Sequence, residues 1–254
     1  GVNVVVKSPD SKTNAKYGDV YVYAQTSDES GNYYIMYIFK YLNYGIDEKM
    51  TDGDASTVAN YLSGGSNTEW NCHMYRVREA FIYKQNEDGS YTKICSLLHQ
   101  GEISVAIKEF YNQRYAADFV GGYHGDENAE GFSFLIDGEP LDTSKAESYT
   151  GLTTFELVQD TMINRCNEPD TPLLAHSQHF LVDTNGLRIN RHIEVLADDF
   201  APTHDQGYTM MATVYRIKRI FALLVVAVFV RERNFRIRDR QNYFVRLVNP
   251  RTYV

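Results

Sequence analysis

The sequence predicts an all-β fold, an antiparallel β-sandwich or jelly roll, and three observations carry this prediction. Short runs rich in aromatic and β-branched residues recur along the chain, separated by polar turns that contain Asn, Asp or Gly. Helical periodicity is scarce, which disfavours a parallel α/β fold. At 254 residues and 43% hydrophobic content, with 20 tyrosines, the chain can bury one large core.

Two hairpins are predicted in the first hundred residues. Residues 18–26 and 32–42 flank a Ser-, Asp- and Gly-containing turn, and residues 78–85 and 91–98 flank an Asp-Gly turn. A short helix is predicted over residues 52–62. Further strands are predicted at residues 103–110, 132–138, 154–162, 179–183, 187–196 and 208–217. Strands at this density, joined by polar turns, favour a sandwich.

Charge divides the chain unevenly. The net charge is −8, yet residues 216–251 hold ten Lys or Arg and two acidic residues, against 15 basic and 31 acidic residues in the preceding 215. Such a basic segment is typical of a polyanion-binding surface or a subunit contact, and it can equally pair with the acidic part of the same chain. We therefore predict a β-sandwich domain over residues 1–217 and basic C-terminal strands over residues 218–254 that complete the same domain.

Several classes of protein lack support in the sequence. The apolar run 220–230 is too short for a bilayer span, which needs about 20 residues, and its β-branched content indicates a strand buried on both faces. Cys72, Cys95 and Cys166 show no CxxC spacing, so neither a disulfide framework nor a thiolate zinc site is predicted. Phosphate-loop, dinucleotide, serine-esterase and zinc-protease motifs are absent, and the acidic majority opposes nucleic-acid binding.

A hairpin with three histidines is predicted around Asn185-Gly186, the pair most typical of a two-residue type I′ turn. That turn places His179 directly opposite His192, with Cβ atoms about 4.5–5.5 Å apart. Because side chains alternate between the faces of a strand, His176 falls on the core side and is expected to be structural. The predicted core-facing set is Phe180, Val182, Leu187, Ile189, Ile193 and Val195.

The opposite face of this hairpin is predicted to be polar. Its residues are Ser177, His179, Leu181, Asp183, Arg188, Asn190, His192 and Glu194. A histidine on such a face can act as a general base near neutral pH. One alternative is a solvated sheet face with an incidental histidine pair. Another is a metal bound between His179 and His192, with Glu194 as a third ligand.

Glycines bracket Tyr123-His124 in the most unusual segment of the chain. Gly121, Gly122 and Gly125 indicate that the backbone turns sharply or approaches another group closely. The functional interpretation is a site loop that offers Tyr123 and His124 as proton-transfer groups. The alternative is a plain bulge or turn.

Arginines recur at every second position in two segments. Arg76 and Arg78 share one face of a predicted strand, with Glu79 on the other face. The second row consists of Arg236, Arg238 and Arg240. Rows of this spacing match carboxylate or sulfate groups, although a charged edge strand gives the same pattern.

Two family resemblances follow from these segments. Residues 100–217, with GGYHGDE, FLIDG, HSQHFLVDTNGLRINRHIEVL and GYTMMATVYRI, resemble segments of bacteriophage tail and receptor-binding proteins. The order of segments is also similar to that of alginate-lyase-like jelly-roll polysaccharide lyases, through RVRE, a histidine-bearing strand and a late NYFVRLVNPRTY with Tyr243 and Tyr253. The chain departs from the lyase pattern because it lacks a QIH triplet, no lysine follows Phe244, and Pro250 lies inside the last motif.

The lyase resemblance implies β-elimination on a uronic-acid polymer. This reaction needs a group that neutralises the carboxylate, a base that removes the C5 proton and an acid that protonates the leaving oxygen. The implied catalytic residues are His124 or His192 as base and Tyr123 or Tyr243 as acid. The resemblance implies Arg78, Arg188 or Asn190 as the group that neutralises the carboxylate. The polar hairpin face and the second arginine row add His179, Arg236 and Arg238 as further predicted substrate-binding residues.

Together these patterns predict a lyase-type depolymerase that acts on acidic polysaccharide or a cell-surface glycan, outside the cell or on a virion. The first rival is a non-catalytic phage tail or receptor-binding protein that binds glycan with the same surface. The second is a structural virion component whose basic tail contacts an acidic neighbour. No cofactor is predicted, with a divalent cation as the alternative. A homo-oligomer is expected, whereas nucleic acid and a membrane span are not.

Overall fold

The computed structural model describes residues 1–9, 17–44, 72–98, 104–106, 120–121, 127–165, 168–200, 209–211 and 241–248. In these ranges the chain is all-β, as predicted, with fourteen strands. They are β1 (Val2–Val6), β2 (Val20–Asp28), β3 (Gly31–Tyr44), β4 (Cys72–Gln85), β5 (Tyr91–Leu98), β6 (Ser104–Ala106), β7 (Glu127–Ile136), β8 (Glu139–Leu141), β9 (Glu147–Leu152), β10 (Phe155–Arg165), β11 (Glu168–Asp183), β12 (Gly186–Val195), β13 (Thr209–Met211) and β14 (Gln241–Val248).

Both predicted hairpins are confirmed, as β2–β3 and β4–β5. The sequence patterns missed the short strands β1, β8 and β9, which contain only three to six residues each. The predicted helix over residues 52–62 and the apolar run 220–230 lie outside the described residues. From the basic C-terminal segment the structure describes β14, which pairs with β12.

Twelve of the strands form one mixed sheet, in the order β14-β12-β11-β10-β7-β4-β3-β2-β1-β9, with β5 on β4 and β8 on β7. Strands β6 and β13 pair separately. The pairings are antiparallel except at the centre, where β4 and β7 run parallel over two residue pairs, Cys72 with Glu127 and His73 with Asn128. This short parallel contact joins two halves, β1–β5 with β9 and β7–β8 with β10–β12 and β14.

The two halves pack face to face as a β-sandwich. The ring of Phe39 on β3 contacts Phe155 on β10 at 5.0 Å and Phe180 on β11 at 5.9 Å, measured between centroids. Nearer the junction, Tyr75 on β4 contacts Phe134 on β7 edge-to-face at 4.7 Å. Aromatic pairs in this geometry add about 0.5–1.5 kcal/mol beyond the area that they bury. The interface between the two halves is therefore formed by aromatic side chains from both of them.

A bulge on β4 changes the predicted arginine row. The register shifts between Ile38 and Phe39 of β3, so the core-facing positions of β4 change from odd to even numbers after Val77. The extra residue is Arg78. Arg76 is 1% exposed, so the prediction that it joins a solvent-facing arginine row is wrong. The bulge interrupts the two-residue alternation on which the row rested, but Arg76 lies before it, paired with Lys40 of β3 on the face opposite the core-facing Tyr75 and Val77.

One buried side chain satisfies the backbone where the two halves diverge. Beyond His73, β4 leaves β7, and the Tyr75 N–H donates to Gln159 Oε1 at 2.8 Å while Gln159 Nε2 donates to the Tyr75 carbonyl at 3.0 Å. Gln159 is fully buried. Its amide therefore substitutes for a neighbouring strand at one residue of β4, which lets the sheet open without orphaned backbone groups.

Replacing Gln159 by leucine should destabilise the fold by about 2–4 kcal/mol, because the N–H and C=O of Tyr75 would lose their partners in a buried place. Urea denaturation measures the free energy of unfolding. Asp160→Asn, on the exposed side of the same strand, is the matched control and should change it little. A leucine variant as stable as the wild type would contradict the bridging role of this amide.

Candidate functional site

The histidine-bearing hairpin forms, but its register differs from the prediction. Asp183 pairs with Gly186, so the two loop residues are Thr184 and Asn185. A type I′ turn needs positive φ at both loop residues, whereas here only Gly186, which follows them, has positive φ, at 116°. The Asp183 carboxylate also accepts the Asn185 N–H at 2.7 Å, which favours a turn that starts at Asp183.

The predicted His179–His192 pair is therefore wrong. His179 lies opposite Asn190, and His192 lies opposite Ser177. Because the register differs by two residues, every side chain keeps its predicted face, and the two histidines become diagonal neighbours, typically about 7–8 Å apart. Phe180 and the other predicted core residues of this hairpin are buried, except Val195, which is partly buried.

The outer face of β10–β12 carries a set of polar side chains that we call the His179 surface. Its members are Glu156, His179, Arg188, Asn190 and His192. Glu156 comes from β10 and contacts His179 Nε2 through Oε2 at 2.7 Å. Arg188 donates from Nη2 to the Asp183 carboxylate at 2.8 Å. Asn190 is exposed, and His192 is partly exposed. The structure thus brings four of the predicted site residues onto one surface.

The Glu156 contact determines which nitrogen of His179 carries a proton. An ionised carboxylate only accepts hydrogen bonds, so Nε2 must be the donor. In the neutral ring Nδ1 then keeps a lone pair and can take a proton. The side chain of His179 is 38% exposed, so the ring is accessible from solvent. The pair therefore has the arrangement of an oriented general base.

Other predicted site residues are elsewhere. Arg78 lies at the bulge of β4, in the other half of the sandwich, and is partly exposed. Tyr243 belongs to β14, where its backbone pairs with Arg191, one residue before His192. The loop residues Tyr123 and His124 and the arginines Arg236 and Arg238 lie outside the described residues.

The inner face of the same strands contains a buried polar layer that the sequence patterns did not identify. On β10, β11 and β12 the core-facing positions change from apolar to polar and back again, between two apolar clusters. The layer consists of Gln159, Thr161, His176, Gln178 and Arg191, together with Glu127 from β7, and each is at most 3% exposed. The sequence signal that could have revealed this layer is the recurrence of polar residues at core-facing positions on three adjacent strands.

In this layer the charged side chains of Glu127 and Arg191 are connected by hydrogen bonds through the neutral ring of His176. His176 Nδ1 donates to Glu127 Oε1 at 2.8 Å, and Arg191 donates from Nη1 to His176 Nε2 at 3.1 Å. Thr161 donates to Glu127 Oε1 at 2.5 Å, and Arg191 Nη1 also donates to the side-chain amide oxygen Oε1 of Gln178 at 3.0 Å. Burial lowers the pKa of His176 and lowers that of Arg191 to about 10, so the histidine is neutral and the arginine charged at pH 7. The prediction that His176 lies on the core side of the hairpin is confirmed.

A second candidate site lies on the outer face of the other half, on β1–β5. A cavity of about 370 Å³ is lined by Asn3, Tyr23, Tyr34, Met36, Tyr83 and Tyr91, and we call it the tyrosine cavity. The rings of Tyr34 and Tyr91 meet edge-to-face at 5.3 Å with an interplanar angle of 82°. Burial raises the pKa of Tyr23 and Tyr34, so their hydroxyl groups stay protonated and neutral near pH 7.

Comparisons with protein-family models, curated proteins and solved structures found no match for this chain. Among the described residues, no group of three or more His, Cys, Asp or Glu side chains is placed to hold a metal ion. Within the same ranges, no helix is long and apolar enough to cross a membrane. The functional argument therefore depends on the two surfaces themselves.

The stability of the protein should fall as the pH drops below about 6.5. The pKa of His176 in the folded chain lies below its ordinary value of 6.5, because burial disfavours the imidazolium and Arg191 Nη1 already occupies the Nε2 lone pair. Below pH 6.5 the unfolded chain therefore binds a proton that the folded chain does not, and the free energy of unfolding decreases by up to about 1.4 kcal/mol per pH unit. Thermal and urea unfolding between pH 7.5 and 5 measure this slope.

His176→Gln is the informative variant, since glutamine can donate to Glu127 and accept from Arg191 without titrating. Its unfolding free energy should depend less on pH than that of the wild type. Ser177→Ala, at an exposed position on the outer face of the same strand, is the control and should leave the slope unchanged, since serine does not titrate in this range. Equal slopes in the wild type and His176→Gln would show that another group controls the acid sensitivity.

Proposed function

We propose that the protein acts on acidic polysaccharide by lyase-type β-elimination, with the His179 surface as the place where the polymer binds. The observation that carries this proposal is the 2.7 Å contact between Glu156 and His179, a partly exposed histidine whose cross-strand neighbour is Asn190. An oriented base beside amide and guanidinium donors is the combination that this reaction needs.

In the proposed reaction His179 Nδ1 removes the C5 proton of a uronate residue. The electrons of that C–H bond form the C4–C5 double bond, and the C4–O bond breaks toward the leaving sugar. Asn190 and Arg188 donate hydrogen bonds to the uronate carboxylate, which lowers the cost of the negative charge that develops there. Arg188 gives one N–H to Asp183 and has further donors, since a guanidinium carries five.

The imidazolium that forms on His179 returns its proton to the leaving oxygen, so one residue serves first as base and then as acid. Tyr243, which the sequence suggested as the acid, is not given this role, because its backbone pairs with Arg191, a residue of the buried inner face, and not with a residue of the His179 surface. The sequence suggested that His179 binds the substrate. We assign it as the base instead, because its ring has a carboxylate partner.

Non-catalytic glycan binding, as in a phage tail or receptor-binding protein, is the second candidate function. The tyrosine cavity favours it, because rings and hydroxyl groups that line a concave site are suited to holding a sugar without any chemistry. An extracellular or virion-associated location and a homo-oligomeric state fit both candidates.

The lyase proposal predicts that the purified protein releases unsaturated uronate from at least one polymer in a panel of alginate, pectate, hyaluronan and bacterial capsules. The ultraviolet absorbance of the new double bond measures the rate. His179→Ala should lower kcat by about 100-fold or more, as expected on removing a general base. Glu156→Gln should lower kcat by about tenfold or more with a smaller effect on KM, because the ring loses its orienting charge.

Ser177→Ala is the matched control, since Ser177 is exposed on the same face of β11 and should leave kcat unchanged. Retention of full activity by His179→Ala would place the base elsewhere. A wild-type protein that binds a uronate polymer without raising the absorbance would contradict the lyase proposal and leave binding as the role of the His179 surface.

A further inference from the structure

We propose that the tyrosine cavity is a separate carbohydrate-binding site that holds an uncharged sugar residue. The proposal goes beyond the action on acidic polysaccharide, because the cavity lies on the outer face of β1–β5 and the His179 surface lies on the outer face of β10–β12. Neither site needs the other in order to bind its ligand.

Strand register assembles the cavity from five neighbouring strands. Asn3 of β1 pairs with Tyr23 of β2, which pairs with Met36 of β3. One step along the sheet, Tyr34 of β3 pairs with Tyr83 of β4. Tyr91 of β5 then adds its ring to that of Tyr34. The lining therefore rests on hydrogen-bonded strands, and its shape does not depend on a loop.

The chemistry of the lining indicates the class of ligand. Met36 is 7% exposed and contributes apolar surface, while four tyrosines contribute ring faces and hydroxyl groups. All six lining side chains are uncharged at neutral pH, so an ion placed there would lose water and gain no counter-charge from the lining. A sugar ring is neutral, with apolar C–H faces that stack on aromatic rings and a rim of hydroxyl groups that bond to phenols and amides.

The size of the site favours a small ligand over a protein partner. A volume of about 370 Å³ is within the range of about 300–1,000 Å³ that is usual for small-molecule sites. Stable protein interfaces bury on the order of 1,000 Å² or more, which six side chains around a concavity do not provide. Tyr91 is 48% exposed, so its ring can stack against a ligand that enters from solvent.

The proposal is tested with a panel of neutral oligosaccharides built from glucose, galactose, mannose and N-acetylglucosamine, by saturation-transfer NMR and isothermal titration. The wild type should bind at least one of them. Tyr91→Ala and Tyr34→Ala should each weaken that binding by about tenfold, the magnitude expected for one stacked aromatic ring. Tyr91→Phe, which keeps the ring, should bind more tightly than Tyr91→Ala.

Two controls separate this site from its alternatives. Ile94→Ala, at an exposed position of β5 outside the lining, should bind like the wild type, and far-ultraviolet circular dichroism confirms that each variant is folded. His179→Ala should retain neutral-sugar binding, and the tyrosine variants should retain any uronate turnover, so failure of one site does not imply failure of the other.

Three outcomes would overturn the proposal: a wild type that binds no sugar of the panel, tyrosine variants that bind as well as the wild type, or a dimer that dissociates on Tyr91→Ala. The last, measured by sedimentation, would mean that a second copy of the chain covers the cavity.

Discussion

The buried ion pair of Glu127 and Arg191, bridged by a neutral His176, is the constraint around which the second half of the sandwich is organised. Removing two charges from water costs several kcal/mol per ion unless every donor and acceptor is well matched. The match here requires β7, β10, β11 and β12 to hold one register, since each contributes a side chain. A slip of one residue would expose the apolar core of these strands as well as separate the charges.

The same register determines what the outer faces display. Because β4 and β7 share only two residue pairs before Gln159 bridges the gap, the single sheet folds into two halves whose inner faces meet. Each half then keeps one outer face. One carries the His179 surface, and the other carries the tyrosine cavity, so two chemically different surfaces result from one continuous sheet.

Alternation and turn residues predicted much of this fold, because both act over a few residues. They located the two early hairpins and predicted the correct two faces for the strands that flank the Asn185-Gly186 turn. These local patterns failed where contacts between residues far apart in the sequence determine the structure. Nothing local indicates that Arg76 is buried, or that Arg191 meets a histidine that is itself held by Glu127, 49 residues earlier in the chain. The turn was misassigned because the Asp183 carboxylate competes for the loop N–H groups.

His176 and His179 show why strand face, and not residue type, determines what a histidine can do here. Each bonds a carboxylate through one ring nitrogen, at 2.8 Å and 2.7 Å. Three residues apart on β11, they point to opposite faces. On the inner face Arg191 occupies the second nitrogen and burial keeps the ring neutral, so His176 can only hold strands together. On the outer face the ring of His179 is accessible to solvent, and its contact with Glu156 through Nε2 leaves the lone pair on Nδ1.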